Sequence, residues 1–154
     1  MPHFRLSLSL FLFLCLFSLF GCGGDPNLGQ VPAKVIIKVD GAVIENAAVV
    51  FLDGTGNTCT ARTDKNGVAV MRASISAGNN KMVEVKGVVP GEYKVSVSKS
   101  IPNLTPDPKD PSVMTIGSID YIVPERYSKH SSSGLTATVK KGDKNEFTFE
   151  LTTQ

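Results

Sequence analysis

Cys22 is the residue of this sequence whose neighbours best suit a chemical reaction. An apolar run at residues 6–20 leads up to it from a short cationic start at Arg5, and small residues stand beside it at Gly21 and Gly23. A cysteine thiol can be joined to lipid as a thioether, and small neighbours let a signal peptidase grip the backbone. The pattern predicts a signal peptide at residues 1–21 that is removed, so that acylated Cys22 becomes the mature N-terminus.

Other interpretations of this segment meet physical objections. A transmembrane helix needs about 20 apolar residues to cross the hydrocarbon core, which is longer than this run. Cys15 is a competing cysteine, but Leu14 precedes it where a small residue is wanted, although Phe20 is also bulkier than usual near a lipidation site. Secretion without lipid is the remaining alternative. We expect a lipid-anchored protein of the bacterial cell envelope, on the periplasmic or outer-membrane face.

Histidine is scarce after the signal, which limits catalytic and metal chemistry. His130 is the only one, so a Ser-His-Asp triad would depend on one residue in a serine-rich stretch, and a zinc site would lack ligands. Two carboxylate pairs, Asp107 with Asp110 and Asp120 with Glu125, lie among prolines. Solvated loop acids are far commoner there than positioned catalysts. The sequence predicts no enzyme, no metal site and no cofactor.

Charge and cysteine content limit the partners and the covalent bonds. Removal of the signal takes away one of the 16 basic residues, Arg5, and leaves 15 basic against 14 acidic residues. A chain so near neutrality does not suit nucleic acid. Once Cys22 carries lipid, Cys59 is the only thiol, so no intramolecular disulfide can form. We expect Cys59 to be a small buried hydrophobic residue; a disulfide between chains is the alternative.

Period-two patterns predict short strands and no convincing helix. Residues 22–33 are rich in glycine, proline and asparagine and are expected to be a flexible tether, and residues 34–154 are expected to form one domain. Alternating residues at 35–39 end in an Asp40-Gly41 turn, and Tyr93 is phased with the core in a half-buried strand. Seven or eight such strands predict an all-β, antiparallel sandwich.

Two hairpins are expected from neighbouring strands. Residues 58–63 and 67–72 flank an Asp-Lys-Asn-Gly turn, in which Asn and Gly accept positive φ. Residues 135–140 and 145–151 would form a terminal hairpin whose phenylalanines seal the core.

A proline-rich insert at about residues 100–133 interrupts the period-two pattern of the strands. Its five prolines and its serine run leave weak strand signals only around residues 113–123. We expect it to wrap over the sandwich as the most mobile part, with Val113 to Val123 partly held as an edge strand. Tyr121, Arg126 and Tyr127 are the side chains best suited to contact a partner, because they combine aromatic area with a planar cation. The alternative is that Tyr121 and Tyr127 only pin the insert to the sheets.

Three segments carry a resemblance to known domains. VDGAVIENAAVVF at 39–51, TDKNG at 63–67 and VPGEYKVSV at 89–97 resemble the carboxypeptidase regulatory-like domains of the transthyretin-like, or prealbumin-like, group of sandwiches. The later motifs PERY, SGLT and FTFEL are similar to the ends of small lipoproteins of planctomycete-type bacteria. The resemblance implies a seven-stranded sandwich that serves as a structural, stability or adhesion module, and it implies no activity.

These observations together favour a non-enzymatic, membrane-anchored envelope lipoprotein. Its sandwich would serve a structural or protein-interaction role as a monomer. The alternative is a module that binds carbohydrate or another ligand at the envelope. Such a module needs exposed aromatic platforms, and Tyr121 and Tyr127 are the candidates because the sequence has no Trp.

The Cys22→Ser substitution should abolish lipid labelling of the chain and stop its maturation, because the hydroxyl of serine cannot form the thioether. Metabolic labelling with a palmitate analogue measures this, and Cys15→Ser is the matched control that should label normally. Undiminished labelling of Cys22→Ser would refute the assignment.

Overall fold

The computed structural model describes residues 29–76 and 82–154, without the side chain of Ser76. The predicted signal peptide and Cys22 lie outside the described residues. The described part is built from strands and one short 3₁₀ helix, Glu125–Ser128. The strands in chain order are β1 (Ala33–Val39), β2 (Ala42–Val43), β3 (Ala48–Leu52), β4 (Thr58–Arg62), β5 (Val68–Val70), β6 (Arg72–Ser76), β7 (Met82–Lys86), β8 (Gly91–Ser98), β9 (Ser100–Pro106), β10 (Met114–Tyr121), β11 (Leu135–Val139) and β12 (Asn145–Leu151).

The strands form two packed sheets and a separate two-stranded ribbon. The small sheet has the order β12-β1-β2, with β5 also paired to β1, and the large sheet has the order β11-β8-β3-β4-β6-β7. β9 and β10 pair only with each other. The predicted all-β sandwich is confirmed, with more strands than the seven or eight expected. The pairing is antiparallel except for β1 and β12, which run parallel.

Alternation along the strands builds the core between the two sheets. In β1 the side chains of Val35, Ile37 and Val39 are buried, while those between them face outward. The ring of Phe51, on the facing sheet, lies 5.6 Å from that of Tyr93 and 6.0 Å from that of Phe147, centroid to centroid. Each fully buried side chain of this size contributes roughly 1.5–3 kcal/mol, so the core is the main source of stability.

Two polar-tipped side chains at the core have the positions that the sequence predicts. Cys59 is buried and unpaired, and burial raises the pKa of its thiol. Tyr93 is also buried, and its hydroxyl donates a hydrogen bond of 2.7 Å to the carbonyl of Val89. Burial raises the pKa of Tyr93 to about 12. Both residues act as packing groups.

The chain enters the sandwich just before β1. Val31 pairs with Val88 through two backbone hydrogen bonds of 2.9 Å, so the last residues of the expected tether are attached to the domain. β1 then reverses into β2 through Asp40 and Gly41, which have φ values of 47° and 82°. Positive φ at both central residues is the mark of a type I′ hairpin, and the turn lies where Asp40 and Gly41 predict it.

The two other expected hairpins are wrong, because the chain changes sheets at each turn. β11 pairs with β8 in the large sheet, whereas β12 pairs with β1 in the small one. The side chain of Asn145 stabilises the backbone where the chain crosses between the sheets. Its oxygen accepts from the amide of Lys140 at 2.8 Å, and its amide nitrogen donates to the carbonyls of Lys140, Asp143 and Pro32. A buried side chain that satisfies four backbone groups fixes the corner between the sheets.

The crossing from β4 to β5 has a similar polar hub. β4 pairs with β6 in the large sheet, while β5 pairs with β1. The buried Thr63 hydroxyl accepts from the amide of Ala47 at 2.8 Å and donates to the carbonyl of Ile44 at 2.6 Å. The Asp64 carboxylate then accepts from the amides of Asn66 and Val68, which forms the expected turn. The turn was predictable from its residues, but the sheet change was not.

Gly67 should tolerate a side chain far less well than Gly142. Both have positive φ, at 73° and 86°, so alanine costs about 1–2 kcal/mol at either position. A Cβ at Gly67 would also lie 2.9 Å from the carbonyl oxygen of Ile37, whereas nothing lies within 4 Å of one at Gly142. Gly67→Ala should therefore lower the free energy of unfolding by about 1–3 kcal/mol more than Gly142→Ala. Urea denaturation of the two variants measures the difference, and equal losses would contradict the crowding at Gly67.

Candidate functional site

The insert divides into two parts with different relations to the sandwich. Residues 100–121 form the ribbon, β9 and β10, in which no residue is buried. Residues 122–134, which we call the strap, return along the sandwich, bury Val123 and Ser133, and place His130 against Ser96 of β8. The expectation that the insert wraps over the sandwich is right for the strap and wrong for the ribbon. The strand expected near residues 113–123 exists as β10, but its partner is β9.

The base of the ribbon is tied to the end of β8. The amides of Ile122 and Val123 both donate to the carbonyl of Lys99, at 3.0 and 3.1 Å. The ammonium group of Lys99 donates to the carbonyl of Glu45 at 2.7 Å. The ribbon therefore begins at a fixed point on the rim of the sandwich.

A β-bulge at Gly117 sets the faces of the ribbon. Ile116 lies opposite Leu104, and Ser118 lies opposite the next residue, Asn103, so Gly117 is the extra residue. Because side chains alternate along a strand, an added residue moves every later side chain to the other face. A Cβ at Gly117 would lie 2.7 Å from a methyl carbon of Thr105, which shows how closely the strands approach there.

The bulge collects apolar side chains on one face, which we call the apolar face. Its members are alternate residues of β9 and the residues of β10 that share their side of the ribbon: Pro102, Leu104, Pro106, Met114, Ile116, Ile119 and Tyr121. All seven are exposed; Ile116, with 63% of its surface accessible, is the most exposed of the large hydrophobic residues. Only Ser100, opposite Tyr121 at the base, adds a polar group to this face.

The opposite face of the ribbon is polar except for one residue. The amide nitrogen of Asn103 donates to the hydroxyl of Ser118 at 3.1 Å, and Thr105 lies opposite Thr115. Asp120 lies opposite Ile101, whose side chain is 49% accessible. The ribbon is thus amphipathic, with one face suited to water and the other to an apolar surface.

Three of the four carboxylates that the sequence grouped in pairs are held in a turn or an ion pair, and the fourth, Asp120, lies on the polar face of the ribbon. At the tip of the ribbon, Asp107 accepts from the amide of Lys109, and Asp110 accepts from the amide and hydroxyl of Ser112. The hydrogen bonds from Ser112 lower the pKa of Asp110. In the strap, Glu125 lies 3.6 Å from the ammonium group of Lys129.

The most perturbed carboxylate is also a turn former. Asp53 accepts from the side chains and amides of Thr55 and Asn57, and these bonds, with that from the Asn57 side chain largest, lower the pKa of Asp53 to about 2. Within residues 29–76 and 82–154, no group of three or more His, Cys, Asp or Glu side chains could hold a metal ion.

Arg126 and Tyr127 attach the strap to the C-terminal residues. The guanidinium group of Arg126 donates to the carbonyl and hydroxyl oxygens of Thr152 and to the Tyr127 hydroxyl, and it lies 4.9 Å above the Tyr127 ring. The Tyr127 hydroxyl also accepts from the amide of Thr152 at 3.3 Å, which lowers the pKa of Tyr127. The Tyr127 ring packs against the core.

The three predicted contact residues therefore occupy two different places. Tyr121 is exposed on the apolar face of the ribbon, whereas Arg126 and Tyr127 are engaged with Thr152. The other members of the apolar face were not among the predicted contact residues. The signal that could have found them is the spacing of apolar residues at 114, 116, 119 and 121, which changes parity at a glycine.

His130, which belongs to the strap, lies against a serine of the large sheet. Its Nε2 is 3.2 Å from the hydroxyl of Ser96, which is only 5% accessible on the outer face of β8. In the described part of the chain no carboxylate hydrogen-bonds to His130, so the third member of a triad does not stand beside it. Nearby, the Ser133 hydroxyl donates to the carbonyl of Val95. Both contacts fasten the strap to the large sheet.

Comparison of this chain with protein-family models, with curated proteins and with solved structures finds no match. The resemblance to carboxypeptidase regulatory-like domains therefore stays a prediction. In the described residues, no helix combines the length and the apolar character that crossing a membrane requires.

The Tyr127→Phe substitution should loosen the C-terminal residues. It removes the oxygen that accepts hydrogen bonds from the Thr152 amide and from Arg126. The Thr152 amide should therefore exchange with solvent about fivefold faster, and the free energy of unfolding should fall by about 1 kcal/mol. Hydrogen exchange by NMR measures the first and urea denaturation the second. Tyr121→Phe, which removes a hydroxyl from the exposed ribbon, is the control and should change neither. Unchanged exchange at Thr152 in Tyr127→Phe would contradict the attachment.

Proposed function

We propose that this chain is an exported lipoprotein, anchored to the cell envelope through Cys22, whose sandwich makes protein contacts and catalyses no reaction. The anchor rests on the signal pattern at residues 1–22. The contact role rests on one observation, the exposed apolar face of the ribbon.

The size of the apolar face supports a contact role. Seven exposed apolar side chains, of which the five non-proline ones are about half accessible, present roughly 500 Å² of contiguous apolar surface, which is as large as the functional patches of soluble proteins. Isolated exposed hydrophobic residues need no explanation, but a row of them on one face of a projecting ribbon is costly in water. A partner that covers the row would remove this cost.

The resemblance to accessory sandwich domains agrees with this proposal. Two packed sheets of mostly antiparallel strands are the architecture that the resemblance implies. Domains of that group act through their surfaces, so function would lie on a projecting element such as the ribbon.

A carbohydrate-binding role has less support. Stacking on sugars needs free aromatic faces, and the guanidinium group of Arg126 covers the Tyr127 ring. Tyr121 remains as a single accessible ring among aliphatic neighbours. The apolar face as a whole suits a protein surface better than a polar sugar.

A photoreactive amino acid placed at Ile116 should form protein adducts in intact cells, because Ile116 is the most exposed large hydrophobic residue of the apolar face. The same probe at Ile101, on the polar face of the same ribbon, is the matched control and should give few adducts. Gel electrophoresis of the envelope fraction measures both. Adducts of equal yield at the two positions, or lipid adducts alone at Ile116, would contradict the contact role.

A further inference from the structure

We infer that the partner of the apolar face is a second copy of this chain, and that two ribbons pack face to face and antiparallel. This inference deepens the contact role proposed above and rests on it. The two ribbons would form a small four-stranded sandwich with two-fold symmetry, a self-complementary arrangement common among homodimers.

The order of side chains along the apolar face is complementary to itself. From base to tip the rows are Tyr121, then Ile119 with Pro102, then Ile116 with Leu104, then Met114 with Pro106. In an antiparallel pair the aromatic ring of Tyr121 meets the thioether of Met114 in the second copy. The branched residue Ile119 likewise meets Ile116. Methionine sulfur and an aromatic ring make a favourable contact, and the middle rows are aliphatic on both sides.

Charge also favours the antiparallel direction. The tip carries Asp107 and Asp110 against one cation, Lys109, while Lys99 lies at the base. Parallel ribbons would bring two acidic tips together. Antiparallel ribbons keep the two acidic tips apart, because each tip then lies toward the base of the other copy, where Lys99 and Asp120 balance in charge.

The face is a better contact than the edge of the ribbon. Pro102 and Pro106 have no N–H group, so the free edge of β9 cannot continue the hydrogen-bond ladder at those positions. Pairing through the free edge of β10 would leave both apolar faces in water. Face-to-face packing covers both faces at once.

The area suits a reversible dimer. Two faces of roughly 500 Å² give about 1,000 Å² of buried surface, at the lower limit of specific protein interfaces. Attachment of both copies to one membrane would raise their effective concentration and compensate for the small area.

A lipid surface fits the ribbon less well. Elements that lie in a membrane interface usually carry Lys and Arg on the polar face. Residues 100–121 contain three aspartates, Asp107, Asp110 and Asp120, against Lys109 alone, a net charge of −2. Anionic lipids would repel this ribbon.

The test is thiol cross-linking of the full-length chain in its native envelope. Two sheets packed face to face lie about 10 Å apart, which is beyond a disulfide, so the double variant Met114→Cys with Tyr121→Cys is treated with a bismaleimide whose span matches that spacing and should give a covalent dimer. Within one chain the two positions lie at opposite ends of β10, about 23 Å apart, which is too far for this reagent to bridge. A dimer band therefore reports contact between copies, and Cys59 does not interfere because it is buried.

Matched variants make the result decisive. Thr115→Cys with Asp120→Cys, on the polar face of the same strand, should give little dimer. Met114→Cys alone should also give little, because in antiparallel ribbons residue 114 meets residue 121. Equal cross-linking of either control, or no dimer from the double variant, would overturn the inference.

A charge on the apolar face should remove the dimer without unfolding the chain. Adding Ile116→Lys to the double variant should lower the cross-linked fraction about tenfold, because the interface would bury an unpaired ammonium group. Ile101→Lys, on the polar face, is the control and should leave it unchanged. Adducts from the Ile116 photoprobe to a different protein, with no cross-linked dimer, would overturn the second copy and leave the contact role standing. Lipid adducts alone would overturn both.

Discussion

The parallel pairing of β1 with β12 is the interaction on which the rest of the structure depends. It joins residues at the two ends of the described domain in continuous register, from Ala33 with Asn145 to Val39 with Leu151. β1 also holds β2 and β5, so the whole small sheet is assembled on this pair. The ion pair between Lys38 and Glu150, at 3.0 Å, lies on the outer face and adds little, since exposed salt bridges contribute at most about 1 kcal/mol. The main contribution is the apolar face that the pair presents to the large sheet.

The sequence predicts the faces of the strands better than their partners. Alternation marks Val35, Ile37 and Tyr93 as core residues, and Asp40 with Gly41 predicts a turn, because these features depend on local chemistry. The pairing of the strands depends on residues such as Asn145 and Thr63, whose side chains form hydrogen bonds with backbone groups far along the chain. A turn motif looks the same whether the chain stays in one sheet or crosses to the other. The two hairpins expected from turn chemistry are wrong for this reason.

The ribbon shows a second limit of periodicity. A strict period of two would place Met114 and Ile116 on the same face as Ser118. The sequence of β10 therefore shows no amphipathic pattern. The extra residue Gly117 restores the pattern in three dimensions by changing the parity. The prolines of β9 are tolerated because the strand has a free edge on which no donor is needed. Tyr121 was identified for its aromatic area, and its neighbours on the apolar face emerge only from the register.

The pairing of β1 with β12 also has a consequence for when the chain can fold. Strand β1 is made early and β12 is made more than 100 residues later, so the small sheet cannot close until nearly the whole domain has been synthesised. Contacts between such distant residues carry a large loop-closure cost and slow the folding of β-sandwiches. The proposed export across a membrane would benefit from this delay, because the segment that emerges first has no complete core to bury. In that proposal, folding is completed on the far side of the membrane, after the last strand arrives.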